Sequence, residues 1–439
     1  MTLVPLSDCF ERDYMSRNIH PDRVLTPLGI GLALSLLGDA TLYAVLPSPD
    51  IATQAGLSLA MVGFLLGINR LVRLIFNGFA GWVYDRLPRR PLMIISLLIG
   101  TLSTAFYAFG SGPVILITGR VLWGLAWSGL WIGANSMTLD LSDDFNRGKL
   151  NGRLQMWFFI AVAVSSFSGG LFTDLFTYRG GLWVSTILSG IGFLIWLKYL
   201  PETRPIQREN TSSLKEERPP SSGFPWKLTL TCSFPFFVNR VIFTGVLGST
   251  TILWLRQFVE NGSLTFNQIA LPLATMSGTF IAVRILVSII SVPQIGRLSD
   301  YIKRRWLVMA IIFLIFGAGG LFLMASENIW ISIIGVLLSA VAGGSIPALI
   351  PAIIGDHVQQ NQQSRSLGWI FSFGDLGSAI GPPIALALVE IIDLPTIFIG
   401  CAILLSMTGL YTVFFAVIEN KQILLLNEKN LVDHSQPGQ

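Results

Sequence analysis

The chain has 439 residues, 52% of them hydrophobic and only 12% charged, with a net charge of +4 and a mean hydropathy of +0.65. A soluble domain carries about twice that charged fraction, and the few basic residues are spread in short clusters, so neither a soluble enzyme nor a nucleic-acid binder fits. Cys9, Cys232 and Cys401 are scattered and suit neither a disulfide framework nor a metal site.

Long apolar runs separated by short polar breaks predict a polytopic, all-α membrane protein. The first 26 residues mix acids and bases without an apolar core, so no removable signal peptide is expected. Six spans follow, at 27–47, 56–78, 91–110, 113–137, 153–173 and 181–200. A linker over 202–228, rich in charge, Pro and Ser, separates them from six more at 229–254, 268–293, 306–325, 329–352, 367–391 and 395–418. The expected domains are thus a tail (1–26), a six-helix bundle (27–201), the linker, a second bundle (229–418) and a polar, disordered tail (419–439). Pro47, Pro91, Pro113, Pro201 and Pro395 fall at proposed span ends, where a missing N–H costs least.

Between spans 2 and 3 lies Gly81, then Asp85 and Arg86, then Arg89 and Arg90. A small residue lets two helix ends approach, and a carboxylate four residues on shares its face. The pattern returns 215 positions later between spans 8 and 9, as Gly296, Asp300, Lys303, Arg304 and Arg305. Two copies, one per half, make the chain an internal repeat of two pseudo-symmetric bundles. With both termini inside, 22 of the 29 Lys and Arg lie in inner segments and only Arg179 and Arg256 in outer loops. This places both termini in the cytoplasm and the protein in the inner or plasma membrane. The acids after span 4, Asp140, Asp143 and Asp144, read as a solvated loop pairing with local arginine rather than a metal site.

Charges inside spans are costly and mark function or pairing. Asp39 lies in span 1 and Asp375 in span 11. Arg70 and Arg73 lie in span 2, Arg120 in span 4, Arg240 in span 7 and Arg284 in span 8. Depth along each span pairs Asp39 with Arg120, and Asp375 with Arg284 or Arg240; Arg73, nearest the cytoplasm, is expected to snorkel. Tyr43, Asn69, Trp123, Trp127, Asn135 and Asn239 are further candidates for the cavity wall. No nucleophile–base pair, metal cluster or phosphate-binding glycine loop is present, so no catalysis and no resident cofactor are expected.

The paired loops, a Gly with an Asp four on and a basic cluster, resemble the signature of the major facilitator superfamily, with Pro88 where the family usually has Gly. The span count and the repeat extend the resemblance over nearly the whole chain. Arg120, Gly124 and Gly129 resemble the span-4 signature of its proton-coupled drug and metabolite exporters. The resemblance implies that Arg120 tunes a nearby carboxylate for proton transfer, with Asp39 as partner. It also implies that Asp85 and Asp300 latch the inner ends of spans 11 and 5. Glycines and prolines at 374–383 resemble the exporters' span-5 signature, displaced into the other half; Leu200 to Arg204 resembles a common ending of span 6. The expectation is a monomeric secondary transporter working by alternating access, with a small-molecule substrate, the bilayer and a coupling proton, most simply exporting an amphiphilic compound. An organic-anion uniporter, exchanger or uptake carrier is the second expectation, because five arginines outnumber two aspartates. A transporter-like sensor or scaffold is the third.

Overall fold

The computed structural model describes residues 20–142, 147–204, 224–259, 263–266 and 269–433. Residues 205–223 of the expected linker lie outside these residues, as do Asp143 and Asp144.

Eleven helices among the described residues are long and apolar enough to cross a membrane. One of them, Lys149–Tyr199, has 51 residues and would run about 75 Å at 1.5 Å per residue, far beyond a core of about 30 Å. Thr177 breaks it at φ 69 and ψ 167, a conformation costly for a β-branched residue. It is therefore two spans joined by a hairpin, and the number is twelve.

The spans are Pro21–Val45, Leu59–Arg86, Arg89–Phe109, Pro113–Asp140, the two arms of the broken helix, Trp226–Arg256, Leu273–Ile302, Arg305–Met324, Ile329–His357, Arg365–Val389 and Leu394–Ile418. They overlap the expected ones in order and number. The last helix, however, continues to Asp433, where a disordered tail was expected from 419. The loop before span 8 adds a small antiparallel hairpin, strand β1 (Ser263–Phe266) against β2 (Ile269–Pro272). Asp393, just outside span 12, accepts from the backbone N–H (3.1 Å) and hydroxyl (2.8 Å) of Thr396. These bonds hold its carboxyl below the usual carboxylate range, so the cap persists at neutral pH and is lost only as acid protonates it.

Two spans contain a π-helical turn, Arg240–Val246 in span 7 and Ile312–Ala318 in span 9. Such a turn re-aims the side chains around it and is frequent at functional sites. Here it begins at one of the intramembrane arginines.

The end of the bundle that holds Arg89, Arg90, Arg304 and Arg305 is called the basic end below, and the opposite end the far end. The two halves meet at the far end. Span 8 crosses span 5 there: a Cβ on Gly278 would collide with the carbonyl of Ser166, and one on Gly170 with the carbonyl of Ala274. Span 2 crosses span 11 in the same way, with Gly63 held 2.7 Å from the Pro382 carbonyl as measured from its virtual Cβ. Gly63 and Gly278 are 215 positions apart, so the two crossings are related by the repeat.

Matching polar caps seal these crossings. Asp174, at the far end of span 5, accepts from the N–H and hydroxyl of Thr275 in the first turn of span 8, both at 2.6 Å. Glu390, closing span 11, accepts from the N–H of Ala60 in the first turn of span 2 at 3.3 Å. A carboxylate at a helix N-terminus gains from the helix dipole, and each cap here joins one half to the other. Towards the basic end, Gly78, Gly81, Gly296 and Gly368 have no neighbour within 4 Å of where a Cβ would lie. The halves are apart there, and the space between them opens towards the basic end.

Candidate functional site

Arg120 stands on the second turn of span 4 and is fully buried. Gly124, one turn on, lets span 4 approach span 2 until a Cβ would sit 2.8 Å from the Asn69 carbonyl. That approach brings the guanidinium to the backbone of span 2. Its Nε donates to the Leu65 carbonyl at 3.0 Å and one terminal nitrogen to that of Leu66 at 3.3 Å. The other terminal nitrogen donates to Asp39 on span 1 in a charge-assisted hydrogen bond. Tyr43, one turn beyond Asp39, donates to the same Leu66 carbonyl at 2.9 Å and lays its ring 5.5 Å from the guanidinium. The depth argument paired these residues, and they are paired. The two partners differ in exposure: 0% for the Arg120 side chain, 14% for Asp39. The carboxylate therefore has an accessible edge while its cation is sealed.

The second cluster corrects the sequence reading. Asp375 does not pair with Arg284 or Arg240. It pairs across the halves with Arg70 at 3.8 Å and Arg73 at 3.5 Å. Depth is legible from position along a helix, but the neighbouring helix is not, and span 11 packs on span 2. Arg73 accordingly does not snorkel; its side chain is 12% exposed and held in this pair. Arg240 lies close by, with Arg70 and Asp375 as its charged neighbours. It donates to the Thr244 hydroxyl at 3.4 Å and covers the Phe236 ring at 5.1 Å. Arg70 in turn has Tyr43, Asp375 and Asp39 beside it. One line of charge thus runs from Arg120 through Asp39 and Arg70 to Asp375. Arg284 stands apart from it, donating to the Phe243 carbonyl at 3.2 Å.

The other cavity candidates are mostly structural in position. Trp123 and Trp127 are 1% and 6% exposed, in a ladder with Trp131 and Phe158 that fills the first half. They pack helices rather than line the central space. Asn239 is buried and donates to the Ala342 carbonyl at 3.4 Å; Asn135 donates to its own helix at Trp131. Asn69 is buried, and its side-chain oxygen has no partner.

At the basic end, Asp85 is exposed and Asp300 binds Arg305 at 2.7 Å. In this conformation neither bonds to span 11 or span 5 among the described residues, and the halves are apart there. Arg86 stacks on Trp82 at 4.2 Å and Arg90 donates to the Leu197 carbonyl at 2.7 Å. Arg304 precedes the first turn of span 9. Arg89 pairs with Asp140 at 3.1 Å, and Arg305 pairs with Asp356. Both residues of the second pair lie 216 positions beyond those of the first.

Sequence reasoning passed over Asp174, Glu390, Asp356 and a role for Glu202; testing every acid against the repeat offset would have found the first three. The Glu202 carboxylate accepts from the N–H groups of Arg89 and Arg90 at 2.9 and 3.0 Å, capping span 3 from the end of span 6. Arg204 donates to the carbonyls of Asp85 and Arg86. The segment after span 6 is thus a clamp on the loop, more than a helix stop. Glu202→Gln is expected to cost about 1 kcal/mol, read as a lower unfolding temperature of the purified protein.

Comparison with known proteins supports the architecture. The family model for the Major Facilitator Superfamily matches residues 28–291 and 258–432. The inner membrane transport protein YajR of Escherichia coli (strain K12) is 27% identical over 81% of this chain and 74% of its own length. A class E tetracycline resistance protein of Escherichia coli is 25% identical over 82% and 84%. The crystal structure of a bacterial homolog of the human lysosomal transporter Spinster, inward-facing and occupied, superposes with a TM-score of 0.67 at 16% identity, covering 94% of this chain and 98% of that one. Twelve spans in two repeated halves and a family match along almost the whole chain place this protein in the Major Facilitator Superfamily, as a membrane transporter and not an enzyme.

Proposed function

We propose that this transporter is a proton-coupled exporter of a small amphiphilic compound, with its basic end in the cytoplasm. One observation carries the reading: Asp39 is partly accessible, beside Arg70, while bonded to a cation that is completely buried. A proton on Asp39 removes its charge and breaks the charge-assisted bond to Arg120. Arg120 keeps its place through the Leu65 and Leu66 carbonyls, so the change is passed to span 1 rather than to span 4. Span 1 meets the second half at the far end, where the Ser277 hydroxyl donates to the Ala44 carbonyl at 2.6 Å. Protonation at Asp39 thereby bears on the closure that seals the far end. The likeness to a tetracycline resistance protein supports export of a drug-like solute. The protein acts as a monomer and carries no cofactor beyond the coupling proton.

The test uses proteoliposomes with a pH-sensitive dye inside and a panel of amphiphilic drugs and organic anions outside. Solute-driven proton flux is expected in the wild type, falling at least about tenfold in Asp39→Asn, the effect of losing one essential proton acceptor. Wild-type flux with unchanged pH dependence in both Asp39→Asn and Asp375→Asn would sink the proposal.

A second reading, a uniporter, exchanger or uptake carrier for an organic anion, is favoured by Arg240 and Arg284. Among the described residues no carboxylate lies within ion-pair distance of either.

A further inference from the structure

The two charge clusters differ in how well they are satisfied. Arg120 makes three hydrogen bonds with its three nitrogens, one of them to a carboxylate. The cluster around Asp375 contains Arg70, Arg73 and Arg240, three positive charges against one negative, leaving an excess of two. Its ion pairs are loose, at 3.5 and 3.8 Å, where a saturated guanidinium–carboxylate pair closes to about 2.8 Å. The Nε atoms of both Arg70 and Arg73 are buried without any partner. Arg240 has only a hydroxyl at 3.4 Å and a ring face. Unmatched cations at this depth are costly, and so are unmade guanidinium hydrogen bonds.

Resting on the carrier reading above, we infer that this cluster receives the anionic group of the substrate, a carboxylate or a group of like charge, with Asp375 as its built-in competitor. An incoming anion supplies acceptors for Arg240 and for the free edges of Arg70 and Arg73. It also replaces Asp375 as their counter-charge, and so loosens the one mid-depth ion bridge described between the halves. Tyr43, partly buried beside Arg70, provides a ring face next to the cations. An organic anion with a flat apolar body fits this better than a small inorganic ion. The space is reached from the basic end, where the halves are parted.

The experiment is binding to the purified full-length protein, in nanodiscs, of three ligands sharing one indole ring: the acetate, the acetamide and the ethylamine. The acetate is expected to bind at least about tenfold more tightly than the acetamide, the worth of one charge-assisted hydrogen bond. Arg240→Gln should erase that preference, Arg240→Lys should retain part of it, and Asp375→Asn should strengthen acetate binding. Equal binding of acetate and acetamide, preference for the amine, or no binding of the acetate at millimolar concentration overturns the inference. So does an unchanged preference in both Arg240→Gln and Arg70→Gln. Inorganic phosphate or sulfate displacing a fluorescent probe where the acetate does not would mean an inorganic anion only, and would equally overturn it. The proton-coupled reading fails separately, by absence of solute-driven proton flux with any solute. Flux driven by neutral or cationic drugs, with no anion preference in binding, sinks the anion site and leaves the carrier standing.

Discussion

Gly278→Leu is expected to cut transport by roughly 100-fold while leaving the protein folded. A side chain at 278 would meet the backbone carbonyl of Ser166, and a backbone atom within a helix cannot swing aside as a side-chain tip can. Relief comes only by parting spans 5 and 8. Overpacking of this kind costs about 3 kcal/mol, which lowers the population of the far-closed state by roughly 100-fold. The fold survives because the clash lies between the halves and is absent when the far end opens. Gly63→Leu should act alike, since it occupies the repeat-related crossing against Pro382. Spin labels at the far ends of spans 5 and 8 would report the separation directly, with Gly190→Leu as a control, because nothing lies within 4 Å of a Cβ there. Wild-type distances and turnover in Gly278→Leu would show that this crossing does not form in the working protein. Gly296→Leu makes the converse case. Position 296 is open here, so the substitution is tolerated in this conformation and obstructs only closure of the basic end. Transport should again be lost, with the far end held shut.

Arg120→Leu is expected to be the most destabilising single change in the first half. It leaves Asp39 without its cation in a low-dielectric site, together with the carbonyls of Leu65 and Leu66 that Arg120 now serves. Removing one member of a buried pair costs about 3–5 kcal/mol, enough to lower yield and unfolding temperature sharply. Asp39→Asn alone is milder, because Arg120 retains two carbonyl acceptors. The double variant Asp39→Asn with Arg120→Gln is expected to recover much of the stability, with a coupling of about 1–3 kcal/mol in a double-mutant cycle closed by Asp39→Asn and Arg120→Gln alone. Proton-coupled transport should not return with it. Additive losses would mean that the bond between the two residues contributes nothing, and would move the stabilising role to the carbonyl contacts.

Much of the architecture was legible before any coordinates. Apolar length fixes what can cross a bilayer, so twelve spans follow from hydropathy and spacing. The return of the Gly, Asp and basic pattern after 215 residues revealed the two halves. The Asp39–Arg120 pair was also within reach, because both residues lie in one half at similar depth. Other features were less visible. Trp123 and Trp127 read as cavity aromatics, yet they stack into the core of the first half. An apolar helix is hydrophobic on every side, so its sequence does not say which face meets a neighbour, the lipid or the cavity.

The sequence by itself determined the class of molecule, the number of spans, their repeat and the residues whose charge had to be matched inside the membrane. It could do so because the bilayer penalises every unpaired polar group wherever the helix lies. Only the tertiary structure decided which charges match. Asp375 was free to meet any arginine at its depth, and the approach of span 2 to span 11 at Gly63 and Gly67 gave it Arg70 and Arg73. That choice belongs to helix contacts between residues some 300 positions apart, and no local pattern encodes it. The same contacts left Arg240 with a hydroxyl and a ring where a carboxylate was expected, and so left this protein with positive charge to spare at the centre of its transport path.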